Sequence, residues 1–275
     1  MTVRPRRSAL FMPASNARAV EKARGLDCDV VVLDLEDSVA PDLKQAARDA
    51  ALAAAAAGGF GPRDLVVRVN GFDTPWGADD CRAVATAGFA AVLLPKVSRA
   101  ADLRAAHALA GAVPLWAMIE TCSAMLHLAE IVGAAPDNGL ACLVAGTNDL
   151  AKEMRCTPGP DRAPLLGHLA MIVTAAHAAG LVALDGVCNA IADEPLLAAE
   201  CAQGARYGFD GKSLIHPSQI AAANCAYAPT AEAIAWAGRV VAGFALPENA
   251  GKGVIRVDGD MVELLHLEQA RRILG

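Results

Sequence analysis

Short apolar runs alternate along the chain with longer segments of helical period. The runs occupy residues 8–12, 30–35, 65–69, 90–94, 115–119, 142–145, 182–184 and 206–209. They are continuous rather than alternating with polar residues, as strands of a sheet covered on both faces must be. The segments between them carry helix signals. Ser15 precedes a helix that reaches Arg24, with Gly25 closing it. Pro41 opens another that runs to Ala57 before Gly58-Gly59, and Ser98 stands before an alanine-rich stretch ending at Gly111. Eight strand–helix units without a linker rich in Pro, Gly or Ser predict an α/β fold, a (β/α)8 TIM barrel over residues 1–228. A doubly wound open sheet is the alternative, but no G-x-G-x-x-G follows the first strand. Beyond 228 the pattern changes. A helix at 230–244, a strand at 254–257 and a final helix at 261–274 predict a C-terminal helical and strand appendage over 229–275, packing on the barrel or on a neighbouring subunit.

The length of 275 residues suits one such barrel, which needs about 250. Hydrophobic residues at 55% exclude a disordered chain. Lys and Arg total 24 against 30 Asp and Glu, and the net charge of −6 argues against non-specific nucleic-acid binding and against attachment to a membrane surface. Aromatics at 4% offer no platform for stacking bases. No stretch of 18 apolar residues predicts a membrane span, and the basic start MTVRPRRSAL lacks the apolar core of a signal peptide. The eight cysteines form no C-x-x-C, which predicts reduced, mostly buried thiols in a cytoplasmic protein.

Chemistry in a barrel gathers at the C-terminal ends of the strands, and the polar residues of this chain stand there. Strand two is followed by Asp34, Glu36 and Asp37, strand three by Arg68 and Asn70, and strand four by Lys96. Strand five is followed by Glu120, strand six by Gly146, Thr147, Asn148 and Asp149, strand seven by Asp185, and strand eight by Asp210, Gly211 and Lys212. Glu120 and Asp149 suit Mg²⁺, whose hard oxygen ligands leave positions for water and substrate; alternatively each carboxylate pairs with Arg68 or Lys96. Arg68 either grips a substrate carboxylate with its fork or forms a rim ion pair with Asp34 or Glu36. Of the three acids after strand two, at least one anchors Lys44 or Lys96, and Asp37 is read as structural. Lys96 is the candidate for a Schiff base, though its carboxylate neighbours favour the charged, unreactive amine. His216 reads as a cap or supporting residue.

Taken in order, RSALFMPASN, VVVLDLEDSVAPDLK, VVRVNG, LLPKV, AMIET, AGTNDLAKE and DGKSLIHPSQI resemble the citrate lyase beta-subunit-like family, which includes malyl-CoA lyases. The resemblance spans nearly the whole chain. It implies a Mg²⁺-dependent (β/α)8 carbon–carbon lyase that cleaves a 3-hydroxy-acyl-CoA of citryl or malyl type to an oxo-acid and an acyl-CoA, assembled as a homotrimer or hexamer. It implies Glu120 and Asp149 as metal ligands and Arg68 as the holder of the substrate carboxylate, with Asn148 beside them. It places Phe11, Met12, Lys22, Ile215 and His216 on the coenzyme A side, and makes Glu263 the residue that transfers a proton. Three positions depart from the family. Asn148 stands where many relatives carry Glu or Ala. Asn16 replaces an Arg that malyl-CoA lyases use on the coenzyme phosphates, and Glu263 stands where Asp is usual. The rival readings are a metal-dependent aldolase acting on free oxo-acids and a non-catalytic oxo-acid or acyl-CoA binding paralogue.

Overall fold

The computed structural model describes residues 5–275. Its contacts divide them into two compact units, Pro5–Tyr227 and the C-terminal segment from Ala228. In the first, eight strands pair in parallel and in sequence order: β1 (Ser8–Pro13), β2 (Val30–Asp34), β3 (Asp64–Arg68), β4 (Ala91–Leu94), β5 (Leu115–Ile119), β6 (Leu140–Ala145), β7 (Val182–Asp185) and β8 (Gly211–Leu214). β8 pairs back onto β1, with Ser213 opposite Ala9, and the barrel closes. The predicted (β/α)8 class is the observed one.

The period of two along each strand sorts its side chains into two apolar clusters. Ala9, Val30, Val32, Val66, Leu93 and Trp116 belong to the cluster that fills the barrel interior. Their neighbours Leu10, Val31, Leu33, Val67 and Leu94 face outward, into the larger cluster beneath the helices. Alanine lets helices lie close to that surface: in the helix Lys44–Ala57, Ala47, Ala51 and Ala54 form the buried stripe. Helices connect the strands throughout, and no helix among the described residues is long and apolar enough to cross a membrane.

Four local expectations are corrected. The eighth run, 206–209, is not a strand. Arg206 and Tyr207 end the helix Glu194–Tyr207, and Gly208 caps it in the left-handed conformation at φ 95°. The strand follows at Gly211–Leu214, where Lys212 and Ser213 dilute the apolar signal. Asp210 therefore precedes β8 and accepts the Ala183 N–H at 2.8 Å, at the strand end opposite the one expected. The helix Ala17–Ala23 is capped by Asn16 rather than Ser15, because the side-chain Oδ1 of Asn16 accepts the Ala19 N–H at 3.1 Å.

Asp185 and Lys212 do not point into the barrel mouth. Lys212 leaves β8 on the outward face and donates to Asp185 (3.1 Å), Glu200 (2.9 Å) and the Gly186 carbonyl (2.6 Å). Arg162 Nη1 bonds both Asp185 oxygens, at 2.8 and 2.9 Å. Burial alone pulls the Lys212 amine down, but the charges of Asp185 and Glu200 outweigh it and hold the amine above its ordinary value. Two cations thus balance two anions in a dry layer between sheet and helices.

The C-terminal unit has its own core of Ala237, Val240, Ile255, Val262, Leu267 and Ala270. A helix, Ala231–Ala245, is followed by the antiparallel pair β9 (Val254–Val257) and β10 (Asp260–Glu263) and the helix Leu264–Leu274. The expected final helix from 261 starts three residues later. Asp258 and Gly259 both adopt positive φ, 53° and 92°, the requirement of a tight hairpin turn, and residues 260–263 pair back on β9.

Lys212→Ala, which leaves two buried carboxylates facing one guanidinium, is expected to lower the unfolding free energy by about 3–5 kcal/mol. The urea midpoint reads this directly, and an unchanged midpoint would contradict the network.

Candidate active site

At the C-terminal ends of the strands lies a cavity of about 380 Å³. Phe11 and Met12 of β1, Arg68 of β3, Glu120, Asn148, Asp149 and Ile215 all line it, so the structure brings these candidates together. Lys22 and His216 are not among its lining residues. Lys22 is exposed on the helix Ala17–Ala23. His216 Nδ1 accepts the Ser218 N–H at 3.2 Å, which makes it the cap of the next short helix. Glu263 belongs to the C-terminal unit, where its N–H donates to His266 Nδ1 at 3.0 Å at the start of the last helix.

Arg68 is buried and held from two sides. Its Nε and Nη2 donate to the two oxygens of Asp34 at 2.7 and 2.8 Å, and Nη1 lies 2.8 Å from Glu36 Oε2. The Phe11 ring covers the guanidinium at 5.5 Å. Burial pushes the Asp34 carboxyl up, but the bonds and charge of Arg68 and the Ser38 hydroxyl outweigh it and leave the group below its ordinary range. The rim ion pair is thus formed, and it fixes the fork. Arg68 lines the cavity, and the N–H groups not bonded to Asp34 or to the Met118 sulfur are what its guanidinium offers a ligand carboxylate.

Glu36 has a second cation. Its Oε1 accepts from the Lys96 ammonium, and Asp37, exposed, lies 3.6 Å from Arg68 Nη1. Lys44 is anchored by the carbonyls of Leu35 and Glu36, both at 2.8 Å, rather than by a carboxylate. Burial lowers the Lys96 amine, but the Glu36 bond and charge raise it further, so the amine stays charged and lacks the lone pair a Schiff base needs. Lys96 also adopts φ 51°, a left-handed conformation rare for a side chain of its length. That turn aims its backbone N–H at Glu120 Oε1, 2.7 Å away.

Glu120 follows β5 and is 2% exposed. Burial pushes its carboxyl up to about 7; the Lys96 N–H opposes this, and the negative charges of Glu36 and Asp149 add to it. Room for it comes from Gly146 at the end of β6. A Cβ there would sit 2.3 Å from Glu120 Cβ and 2.4 Å from Oε2. Gly146 also precedes the helix Thr147–Met154, which carries Asp149 in its first turn. Asn148 and Asn189 exchange amide hydrogen bonds at 3.2 and 2.8 Å and tie this turn to the loop after β7.

Of the carboxylates that line the cavity, Glu120 and Asp149 have no ion-pair partner among the described residues, and a divalent cation would supply the counter-charge that the buried Glu120 lacks. Among the described residues no group of three or more His, Cys, Asp or Glu forms a metal cage. A cation here would therefore complete its shell with water or ligand oxygens, the habit of Mg²⁺. The donor set fits that ion. Asn189 and Ser213 also line the cavity but carry no signal in the sequence. Neither carries a charge, and Ser213 sits inside the strand that the apolar pattern misplaced.

The HpcH/HpaI aldolase/citrate lyase family profile matches residues 7–217. Over 271 residues the chain is 48% identical to a (3S)-malyl-CoA thioesterase of Cereibacter sphaeroides, covering 98% of this chain and 94% of that one. It is 32% identical over 301 residues to an L-malyl-CoA/beta-methylmalyl-CoA lyase of the same species, covering 98% and 94%. Among solved structures it is similar to protein CitE from Mycobacterium tuberculosis in complex with magnesium, acetoacetate and coenzyme A. The identity there is 33% and the TM-score 0.77, covering 99% of this chain and 97% of that one.

A carboxyl titrating near 7 in the fold, against an ordinary 4.5, favours the folded state while protonated and loses that contribution as pH rises through about 7. The metal-free protein is expected to lose up to about 3 kcal/mol from this group between acid and pH ~8. Glu120→Gln should recover it, raising the unfolding midpoint in chelator at pH ~8 but not in acid. Identical midpoints of the two proteins at both pH values would show that Glu120 is not electrostatically strained.

Proposed function

Because the chain belongs to the HpcH/HpaI aldolase/citrate lyase family, we propose that it is a magnesium-dependent enzyme acting on the coenzyme A thioester of a short hydroxy-dicarboxylic acid of the (3S)-malyl type. The observation that carries this reading is the convergence of Arg68, Glu120 and Asp149 on one cavity whose β1 and β8 side is apolar. Hydrolysis of the thioester is the first reading, supported by 48% identity to the malyl-CoA thioesterase across almost the whole chain. Carbon–carbon cleavage to an oxo-acid and an acyl-CoA is the second, supported by the malyl-CoA lyase relative.

Bound between Glu120 and Asp149, Mg²⁺ would supply Lewis-acid polarisation of substrate oxygens and compensate the two carboxylates. The chain's own groups do the rest. Arg68, immobilised by Asp34 and Glu36, holds the substrate carboxylate without reorganising. The Lys96 N–H fixes Glu120 Oε1, so the carboxylate cannot swing toward the Arg68 cation. Asn148, locked to Asn189, keeps the first turn of its helix in place and adds no negative charge next to Asp149. Phe11, Met12 and Ile215 shed water from the acyl and thioester portion, while Lys22 and His216 lie on the coenzyme side. On the family resemblance, Glu263 carries the proton transfer, and 229–275 packs on a neighbouring subunit of a homotrimer or hexamer.

Incubation with (3S)-malyl-CoA and Mg²⁺ is expected to release malate and free coenzyme A in equal amounts, measured by thiol titration and mass spectrometry. Glyoxylate with acetyl-CoA would select the second reading, and neither pair of products would reject both. Chelation, or Glu120→Ala, should reduce turnover to background, and Glu263→Gln should lower kcat while leaving Mg²⁺ affinity unchanged.

A further inference from the structure

Ser213 lines the cavity and is 2% exposed, yet among the described residues nothing reaches its Oγ within hydrogen-bond distance. The strand period explains where it points. Lys212 turns outward to Asp185 and Glu200, so Ser213 turns inward, opposite Ala9 and two residues from Phe11 along the neighbouring strand. A buried hydroxyl without a partner is unfavourable, and alanine would suit this position better if packing were its only role. Its partner is therefore an atom that enters the cavity.

The lining identifies the atom. Arg68, Glu120 and Asp149 occupy the arc of β3, β5 and β6 and suit a carboxylate and a cation. Ser213 stands on the arc of β8 and β1, among Phe11, Met12 and Ile215, where no charged group lines the wall. Within the acyl portion of a thioester substrate whose carboxylate sits on Arg68, the uncharged carbonyl left for that arc is the thioester's, the pantetheine amides lying beyond the sulfur. We propose that the Ser213 hydroxyl donates a hydrogen bond to the thioester carbonyl oxygen and stabilises the negative charge that develops there. This rests on the thioester substrate proposed above, but not on which bond breaks. In hydrolysis, water adds to the carbonyl carbon and the π pair moves to the oxygen. In carbon–carbon cleavage, the electron pair of the broken bond moves through the α-carbon to the same oxygen. Serine keeps its proton in both, and no bond to Oγ forms.

Ser213→Ala is expected to lower kcat by about 10²-fold, the effect of removing one oxyanion donor, and to raise KM by about tenfold through the same lost bond. Its thermal midpoint should be equal or higher, since a hydroxyl without a protein partner is removed. Ser213→Cys keeps the bulk but weakens the donor, and its kcat should fall similarly. A Ser213→Ala enzyme with wild-type kcat overturns the proposal, and so does a loss of kcat that comes with a lowered midpoint. Calorimetry with acetyl-CoA and its carbonyl-free thioether S-ethyl-CoA separates this from the function itself. The wild type should bind acetyl-CoA about tenfold tighter, and Ser213→Ala should lose the preference. If the preference is present but (3S)-malyl-CoA is not turned over, the substrate reading fails and the hydroxyl–carbonyl bond stands. If the wild type shows no preference, the bond is refuted whatever the enzyme turns over.

Discussion

A guanidinium placed inside a barrel mouth must be surrounded by anions, and the arrangement of this site follows from how Arg68 meets that demand. Asp34 takes two of its donors and Glu36 pairs with its charge at 2.8 Å, which commits both acids to structure. Glu36 then draws the Lys96 side chain, and the left-handed turn at Lys96 delivers a backbone N–H to Glu120. Each charge is thereby assigned a neighbour except at Glu120 and Asp149. The negative charge left over is concentrated where a cation has room, and burial, with the charges of Glu36 and Asp149 added, raises the Glu120 carboxyl there.

The same strands serve two purposes because their side chains alternate. The outward residues of β7 and β8 build a closed ionic layer, in which Arg162 and Lys212 answer Asp185 and Glu200. Its donors also grip the loop after β7, through the bond from Lys212 to the Gly186 carbonyl. Gln219 adds a further tie from beyond β8, donating to the Cys188 carbonyl while accepting the N–H groups of Ile215 and His216. The cavity wall formed by residues 187–189 is thus held from behind by groups that never face the cavity. Rigid support of this kind lets a polar lining keep its geometry without ligands of its own.

Seven of the eight strands were legible as apolar runs, because burial on both faces leaves β-branched and aliphatic residues little competition. The eighth was not. Half of GKSL is polar: Lys212 is stabilised by a buried ion network and Ser213 faces the cavity, and neither reason is visible in a local pattern. Asp185 and Asp210 depart from the sequence expectation for a related cause. A charge at a strand end declares its nearness to a mouth, but its direction depends on the parity of the strand, and its end depends on where the strand starts. In the C-terminal unit the apolar period of 261–274 concealed the short hairpin strand that the positive φ at Asp258 and Gly259 reveals.

The succession of the first seven strands and their helices, the (β/α)8 class and the grouping of Arg68, Glu120, Asn148 and Asp149 at one end of the strands were determined by the sequence alone. Period and length dictate strand and helix, and eight parallel units that must bury both faces leave few other ways to close. Which carboxylate pairs with which cation was decided only by the tertiary structure. Asp34, Glu36, Asp37, Glu120 and Asp149 are chemically near-equivalent, and electrostatic energy distinguishes them only through distance and burial. Those quantities do not exist until the strands have met.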